Sequence, residues 1–400
     1  MTKKDLWVLF VCAGHWQLDG IIEAKKLGYK IIAIDADQNA EGFKIADKHY
    51  VVDIYDTDKI INIINDQKIK LSGVICLVSD IGQKPAAIIR EKFGLFGMTL
   101  DIAHNMTNKE AQRKTLKDKV GINIPKFLII ENDNAQINID KKIGFPCVVK
   151  PVDSAGSRGV SVVYENDSLA ESIADASSYS SNGRVIIEEF IDGIEYTIET
   201  FTQRLKTTVL LITEKGKLGK TLANELFSTD LPLSKIDELN SFINKVFEVL
   251  NYNFGAGHSE VIKRKSDGKL FLVESAGRGG GFMLSDLLVP LASGFNLNKA
   301  CVVQAMGFNP KEIINLNNKV ILRFIPSKKG IIKNLKGFEQ GGQISNVKTG
   351  SFMKVGDISQ DASVDNNRVG FIAAKGNSIS EVFLLANRVE KNIVVEYYDN

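Results

Sequence analysis

No apolar stretch in the 400-residue chain approaches the roughly 20 residues that a membrane-spanning helix requires. That points to a soluble protein. The N-terminal MTKKDLWVLFVCAG offers a short basic region and an apolar run, but AGHWQLDG and an amphipathic helix follow at once. The run reads as a first strand, not as a signal peptide. Cysteine is scarce: Cys12, Cys76, Cys147 and Cys301 lie far apart with no CxxC pair, and the first three sit in apolar runs. This usage argues against a disulfide framework or a zinc site and for reduced thiols in the cytoplasm. A surplus of one charge is also missing. Fifty basic and 48 acidic residues in mixed order leave a formal charge of +2, so neither nucleic acid nor a membrane surface is the expected partner. Its substrate is expected to be small. No internal repeat or low-complexity segment appears, and 44% hydrophobic residues supply cores for two to four ordinary globular domains.

The chain is expected to be α/β and α+β, in three textures. From residue 6 to about 100, the β-rich runs LWVLFVC, YKIIAID, HYVVD and GVICLVSD alternate with the helical patterns LDGIIEAKKLG, DTDKIINIINDQ and KPAAIIREKFG. That alternation is the pattern of a parallel α/β layer. Its loops carry Gly14, Asp35 and Asp80 to one sheet edge. The sequence argues against a dinucleotide site there, because AGHWQLDG lacks GxGxxG and puts His15 and Trp16 where pyrophosphate needs bare backbone. A helix, TNKEAQRKTLKDKVG, leads into a middle section of strands joined by glycine-bearing loops. Around Lys319 the texture changes to a small α+β segment, ending in a strand, the helix EVFLLANRVEKN and a last strand.

Three stretches of the middle section carry the chemistry. In KPVDSAGSRGV, Lys150 precedes two serines and two glycines, and the apolar run VSVVYE follows. Glycine frees successive backbone N–H groups to converge on an anion. The order is that of a strand–loop–strand flap and not of a P-loop, whose lysine follows its glycines. Alone, the stretch fits a mobile surface hairpin with a solvated lysine equally well. IIEEFIDGIEYTIE reads as strand, bend and strand, with Glu188 placed to accept from an exocyclic amine and Glu195 from ribose hydroxyls; a solvated acidic hairpin is the alternative. GHSEVIKRKSDGKLFLVESAGRGGG reads as a hairpin turning at Ser266-Asp267-Gly268. Its register sets Lys265 opposite Lys269 and Glu260 opposite Glu274. Two facing carboxylates repel unless a cation lies between them, and hard oxygen ligands suit Mg²⁺. Alternation along the strand brings Arg278 to the same face, where a surface salt bridge is the plainer reading.

Together these blocks resemble the ATP-grasp superfamily, with similarity to bacterial L-amino-acid ligases and other carboxylate–amine ligases, to biotin carboxylase and to carbamoyl-phosphate synthase. The resemblance implies a pre-ATP-grasp domain at 1–105 and a split ATP-grasp domain at 106–315 with a mobile lid at about 124–190. It also implies a biotin-carboxylase-like C-terminal domain at 316–400. Carried over residue by residue, ATP binding falls to Lys109, Lys150, Ser154, Gly156, Ser157, Gly159, Glu188, Glu195 and the backbones of Glu189 and Ile191. Metal binding falls to Glu260 and Glu274, and catalysis to Arg278 and Lys150. The implied cofactors are ATP and Mg²⁺, with Mn²⁺ able to substitute. The implied partners are a small carboxylic acid and an amine, and a homodimer stays open. One departure concerns metal: the family pattern ExNxR is ESAGR here, and Ala276 cannot ligate a second ion. His258, two residues before Glu260, shares its face and serves either as a contact to substrate or metal or as a packed imidazole. The expected activity is that of an ADP-forming carbon–nitrogen ligase working through an acyl phosphate. The alternatives are a bicarbonate-activating carboxylase of the same type and a non-catalytic ATP-binding regulator.

Overall fold

The computed structural model describes residues 5–131, 139, 142–218, 222–311, 314, 316, 318–362 and 367–398. Near its N-terminus, the alternation of β-branched runs and amphipathic helices gives four parallel strands: β1 (Trp7–Val11), β2 (Lys30–Asp35), β3 (Lys48–Val51) and β4 (Leu71–Ile75), in the order β3-β2-β1-β4. Val8, Phe10, Ile31 and Ala33 share one core with helix Leu18–Lys26, while Leu9, Val11, Ile32 and Ile34 share another with helix Thr57–Asp66. Burial on both faces is why these strands are continuously apolar. Asp56 caps the second helix by accepting from the Lys59 amide at 3.1 Å. At the C-terminal edge Asp35 accepts from the Ala13 amide at 2.7 Å, and Asp80 lies beyond β4.

A separate sheet holds β5 (Phe127–Ile130), β6 (Cys147–Pro151), β7 (Ser161–Val163) and β8 (Val185–Glu189), in the order β5-β8-β6-β7 and all antiparallel. Lys150, next to last in β6, pairs with Ile186, and Glu188 pairs with Val148, which puts lysine and glutamate on one face. The stretch expected as a strand, a bend and a strand leaves this sheet at Glu189 and enters another at Gly193. Phe190 to Asp192 is therefore a three-residue bridge between sheets.

The large sheet contains β9 (Gly193–Gln203), β10 (Lys206–Leu218), β11 (Leu222–Ser228), β12 (Phe254–Arg264), β13 (Leu270–Ala276) and β14 (Lys319–Pro326). The later strands are β15 (Gly330–Lys336), β16 (Val347–Ser351), β17 (Ile358–Ser359), β18 (Arg368–Gly376) and β19 (Val394–Tyr397). Eight of them run in the order β13-β12-β9-β10-β11-β14-β18-β16. The sequence pattern places substrate-selecting loops near Lys215 to Pro232, but the described residues there belong largely to the paired strands β10 and β11. The C-terminal segment is not a separate layer either: β14 pairs with β11, Glu225 opposite Arg323. Arg323 clamps this seam, reaching Glu225 at 2.9 Å and Glu390 of helix Ile379–Glu390 at 2.7 Å. Leu322, fully buried, packs in one core with Phe201, Leu226 and residues of the N-terminal sheet. Leu322→Ala should lower unfolding free energy by about 2–5 kcal/mol. Urea titration should show the loss in a single transition; a C-terminal segment that melts alone would contradict the continuous sheet.

Candidate active site

The small sheet of β5 to β8 and the large sheet both contribute to a cleft of about 520 Å³, lined by Val148, Lys150, Glu188 to Glu195, Glu214, Lys215, Ile262 and Val273. Its lining sets apolar side chains beside seven charged ones, Lys150, Glu188, Glu189, Asp192, Glu195, Glu214 and Lys215, and a concave site of this kind suits a small polar molecule. The bridge Phe190 to Asp192 forms part of the lining, and Glu189, Ile191 and Glu195 lie along it.

Charge pairing dominates the geometry. Glu188, 2% exposed, is gripped from two sides: Arg113 Nε at 2.6 Å and Nη2 at 3.3 Å, and Lys150 Nζ at 2.7 Å. Burial raises its pKa, but Arg113 and Lys150 outweigh that and hold it ionised below the usual range. Burial also depresses Lys150, against the pull of Glu188. Lys215 lies between two carboxylates, 2.6 Å from Glu195 and 2.5 Å from Glu260. Burial would lower its pKa, and Glu260 and Glu195 reverse this and raise it. Lys109 Nζ donates to Glu274 at 3.0 Å and to the flap carbonyl of Ser154 at 2.8 Å.

Glu260 and Glu274 do stand opposite each other, by a different route from the one expected. Near the turn the strands pair Arg264 with Lys269, through the Arg264 amide and Lys269 carbonyl at 2.8 Å, rather than Lys265 with Lys269. The register shifts between Glu260 and Val261, leaving Val273 as the extra residue of a β-bulge. The bulge absorbs the one-residue offset and restores the facing carboxylates. Ala276, fully buried, lies opposite His258. Arg278 extends past the strand to Asp80 at 2.7 Å and to the Gly279 carbonyl at 3.0 Å. Burial would lower the Arg278 pKa, and Asp80, Glu274 and Glu199 raise it. Arg278 Nε and Asp80 Oδ1 are buried without a protein partner. Beneath them His258 Nδ1 bonds the fully buried Glu199, whose other oxygen accepts from the Gly280 amide at 3.0 Å. A Cβ at residue 280 would lie 2.4 Å from Glu199 Oε1, so only glycine lets the loop cross this pair.

The flap residues occupy a strand-to-strand turn between β6 and β7. Gly156, Ser157 and Gly159 all have positive φ, and Gly156 and Ser157 are exposed. Gly159 packs so tightly on helix Leu169–Ser178 that a Cβ would stand 2.8 Å from Tyr179. Lys109, Lys150, Glu188, Glu195, Glu260 and Glu274 thus fall into three groups of ion pairs: Lys109 with Glu274, Lys150 and Arg113 with Glu188, and Lys215 with Glu195 and Glu260. Sequence reading named neither Arg113 nor the role of Lys215. Arg113 was within reach of it: at four residues beyond Lys109 it shares that residue's helix face, and a charged side chain on a core-facing stripe needs a partner.

Residues 143–286 match the ATP-grasp domain family. The chain carries an ATP-grasp domain. It is 30% identical over 207 residues to the formate-dependent phosphoribosylglycinamide formyltransferase of Methanocaldococcus jannaschii, an overlap of 51% of this chain and 52% of that protein. The chain spans about half the length of the curated relatives it matches. Among solved structures, the L-amino acid ligase from Bacillus licheniformis superposes over all of both chains with a TM-score of 0.83 at 21% identity. Phosphoribosylglycinamide synthetase from Anaerococcus prevotii gives 0.78 at 21% identity, over 98% of this chain and 100% of that one. The likeness of fold to these structures therefore extends beyond the matched segment to the N- and C-terminal portions. No helix among the described residues is long and apolar enough to cross a membrane.

Glu274 gives this geometry a pH signature. Burial opposes ionisation, but Lys109, Lys150 and Arg278 hold its pKa at about 2, against an ordinary 4.5. A depressed carboxylate stabilises the fold fully above its unfolded pKa, and loses that contribution as pH falls towards the folded value. Stability should therefore decline between about pH 4.5 and about pH 2. In Glu274→Gln, denaturant midpoints across that window should fall less steeply than in the wild-type chain. Equal slopes would show that Glu274 is not charged against these cations.

Proposed function

We propose that the protein is an ATP-dependent carboxylate–amine ligase, forming an amide through an acyl phosphate and releasing ADP and phosphate. The observation that carries this reading is the line of paired charges along the cleft: Glu188 with Lys150, Glu195 and Glu260 with Lys215, Glu274 with Lys109, and Arg278 with Asp80 beyond. Each ammonium already lies beside a carboxylate suited to a different duty. A nucleotide entering the cleft offers phosphates to the lysines and hydroxyls to Glu195.

The donor set fits a magnesium ion. Among the described residues no cluster of three or more metal-ligating side chains occurs. Two facing carboxylates, Glu260 and Glu274, are what Mg²⁺ commonly takes from protein when phosphate oxygens complete its shell. Bound there, the ion would neutralise phosphate charge. Ala276 leaves the strand with no third oxygen, and we assign one metal to these residues.

The adenine edge is assigned to the backbones of Glu189 and Ile191 and to Glu188, whose carboxylate would exchange a cation contact for an exocyclic amine. Lys109 and Lys150, freed in part from their carboxylates, donate to phosphate oxygens, with the flap amides of Ser154 to Gly159 above them. The substrate carboxylate then attacks the γ-phosphorus and ADP leaves. Arg278, with a free donor at Nε, receives the carboxylate and stabilises charge at its carbon. An amine nitrogen adds to that carbon, loses a proton, and phosphate departs. Catalysis of this kind rests on positioning and charge neutralisation. Closure of the flap keeps water from the acyl phosphate. The domains follow from the reading: 1–105 and the loop after Arg278 face the acid and amine, 106–315 holds nucleotide, and 316–400 completes the sheet. A homodimer is part of the proposal only as a state to be measured.

Hydroxylamine tests the reaction class. With a panel of carboxylic acids, ATP and Mg²⁺, it should trap the acyl phosphate as a hydroxamate, and phosphate release should require the acid. Bicarbonate alone should release none; bicarbonate-dependent turnover would turn the reading towards a carboxylase. Lys150→Ala should abolish turnover or weaken ATP binding while the fold persists. Arg278→Ala should reduce trapping more than ATP binding, because its work is on the reacting carbon.

A further inference from the structure

β13, which carries Glu274, is the edge strand of the large sheet, and edge strands leave a row of backbone N–H and C=O groups unpaired. Here side chains and a loop take the place of the missing neighbour. Asn123 donates to the Leu270 carbonyl at 2.9 Å and accepts from the Leu272 amide at 2.9 Å through its own carbonyl. Arg113 Nη2 donates to the carbonyl of Val273, the bulge residue, at 2.5 Å. Gln112 completes the set: its amide nitrogen donates to the Ser275 carbonyl at 2.7 Å, and its oxygen accepts from the Ser275 amide at 3.0 Å. One carboxamide thus reproduces both bonds that a paired strand would make. The two residues that flank Glu274 are both held from helix Lys109–Leu116, and Lys109 at its first position holds Glu274 itself.

The same helix reaches the lid. Arg113 holds Glu188, and Glu110 receives Arg184 in a two-pronged pair at 2.8 and 2.7 Å. Gln112 and Arg113 are 2% and 0% exposed, so these bonds form away from water, where an unmade one is costly. Arg113 Nη1 is buried without a protein partner, which shows that its guanidinium is placed for Glu188 and Val273 and not for its own saturation.

We propose that Gln112 and Arg113 are positioning residues for the metal carboxylate. By splinting the edge strand on both sides of Glu274 they fix the bulge, and with it the separation of Glu274 from Glu260. Arg113 ties that setting to the nucleotide side of the cleft through Glu188. Neither residue lines the cleft; both hold the backbone beside Glu274, and Arg113 holds Glu188 as well. This inference rests on the ligase reading, specifically on Glu260 and Glu274 as metal ligands.

The test uses the full chain with Mn²⁺ as a paramagnetic probe. Dissociation constants for Mn²⁺ in the presence of ADP are read by electron paramagnetic resonance, and ADP binding without metal by calorimetry. Gln112→Leu keeps the side chain's size and removes both bonds to Ser275. It should weaken Mn²⁺ binding roughly tenfold, in the range typical of residues that orient metal ligands, with metal-free ADP affinity unchanged. Gln112→Glu keeps the acceptor and loses the donor, and its Mn²⁺ constant should fall between the two. A folded Gln112→Leu that binds Mn²⁺ like the wild type overturns the proposal, as does an equal loss of metal-free ADP binding, which would mark general loosening. If Gln112→Leu does not fold, Gln112→Glu decides, and parity with the wild type overturns the idea. A wild-type chain that binds ADP but no Mn²⁺ would sink the metal assignment and this inference together; parity between variants, or an equal loss of metal-free ADP binding, sinks the inference alone.

Discussion

Carboxylates crowded around a cleft cannot stay ionised unless cations stand between them, and most of the architecture answers that constraint. Glu188, Glu195, Glu260 and Glu274 line one side of the problem, and Lys109, Arg113, Lys150 and Lys215 the other. The cations come from three places: helix Lys109–Leu116, the lid strand β6 and the central strand β10. Removing one member of a buried pair strands its partner at a cost of about 3–5 kcal/mol. The three elements are therefore coupled through charge as much as through apolar packing, and the small sheet meets helix Lys109–Leu116 where its Glu188 finds Arg113.

The N-terminal layer was legible because both of its signals are local: β-branched runs of strand length, and helices with a clear apolar stripe. The last strand, helix and strand were legible for the same reason. Less visible was the partner each strand would choose. KVILRFIP reads as the opening of a new unit, yet β14 joins β11, and only the burial of both its faces explains so apolar a run. EEFIDGIEY reads as a bend between neighbouring strands, yet the strands belong to different sheets. Register and sheet membership depend on contacts distant in sequence, which no local pattern encodes.

The site divides in the same way. The facing pair Glu260 and Glu274 was accessible by counting along a hairpin, although the count succeeded only because a bulge at Val273 cancelled an error at the turn. Lys150 stood out by its flap, and Arg278 by alternation. Arg113 was hidden because a charged residue on a helix normally reads as solvated, and Lys215 because its strand looked like a loop. Both were missed for a shared physical reason: their meaning lies in the partner, and the partners are 75 and 45 residues away.

The bridge from Phe190 to Asp192 has a dynamic implication. It is the short covalent link from the last lid strand to the first long strand of the large sheet, and it is also wall of the cleft. A ligand filling the cleft would rest on the pivot itself. If the small sheet turns about this link, its angle and the occupancy of the cleft form one coordinate, because the link is itself wall of the cleft. Selectivity in such an arrangement is exercised by leverage, with small differences at the axis magnified at the distant tip of the flap.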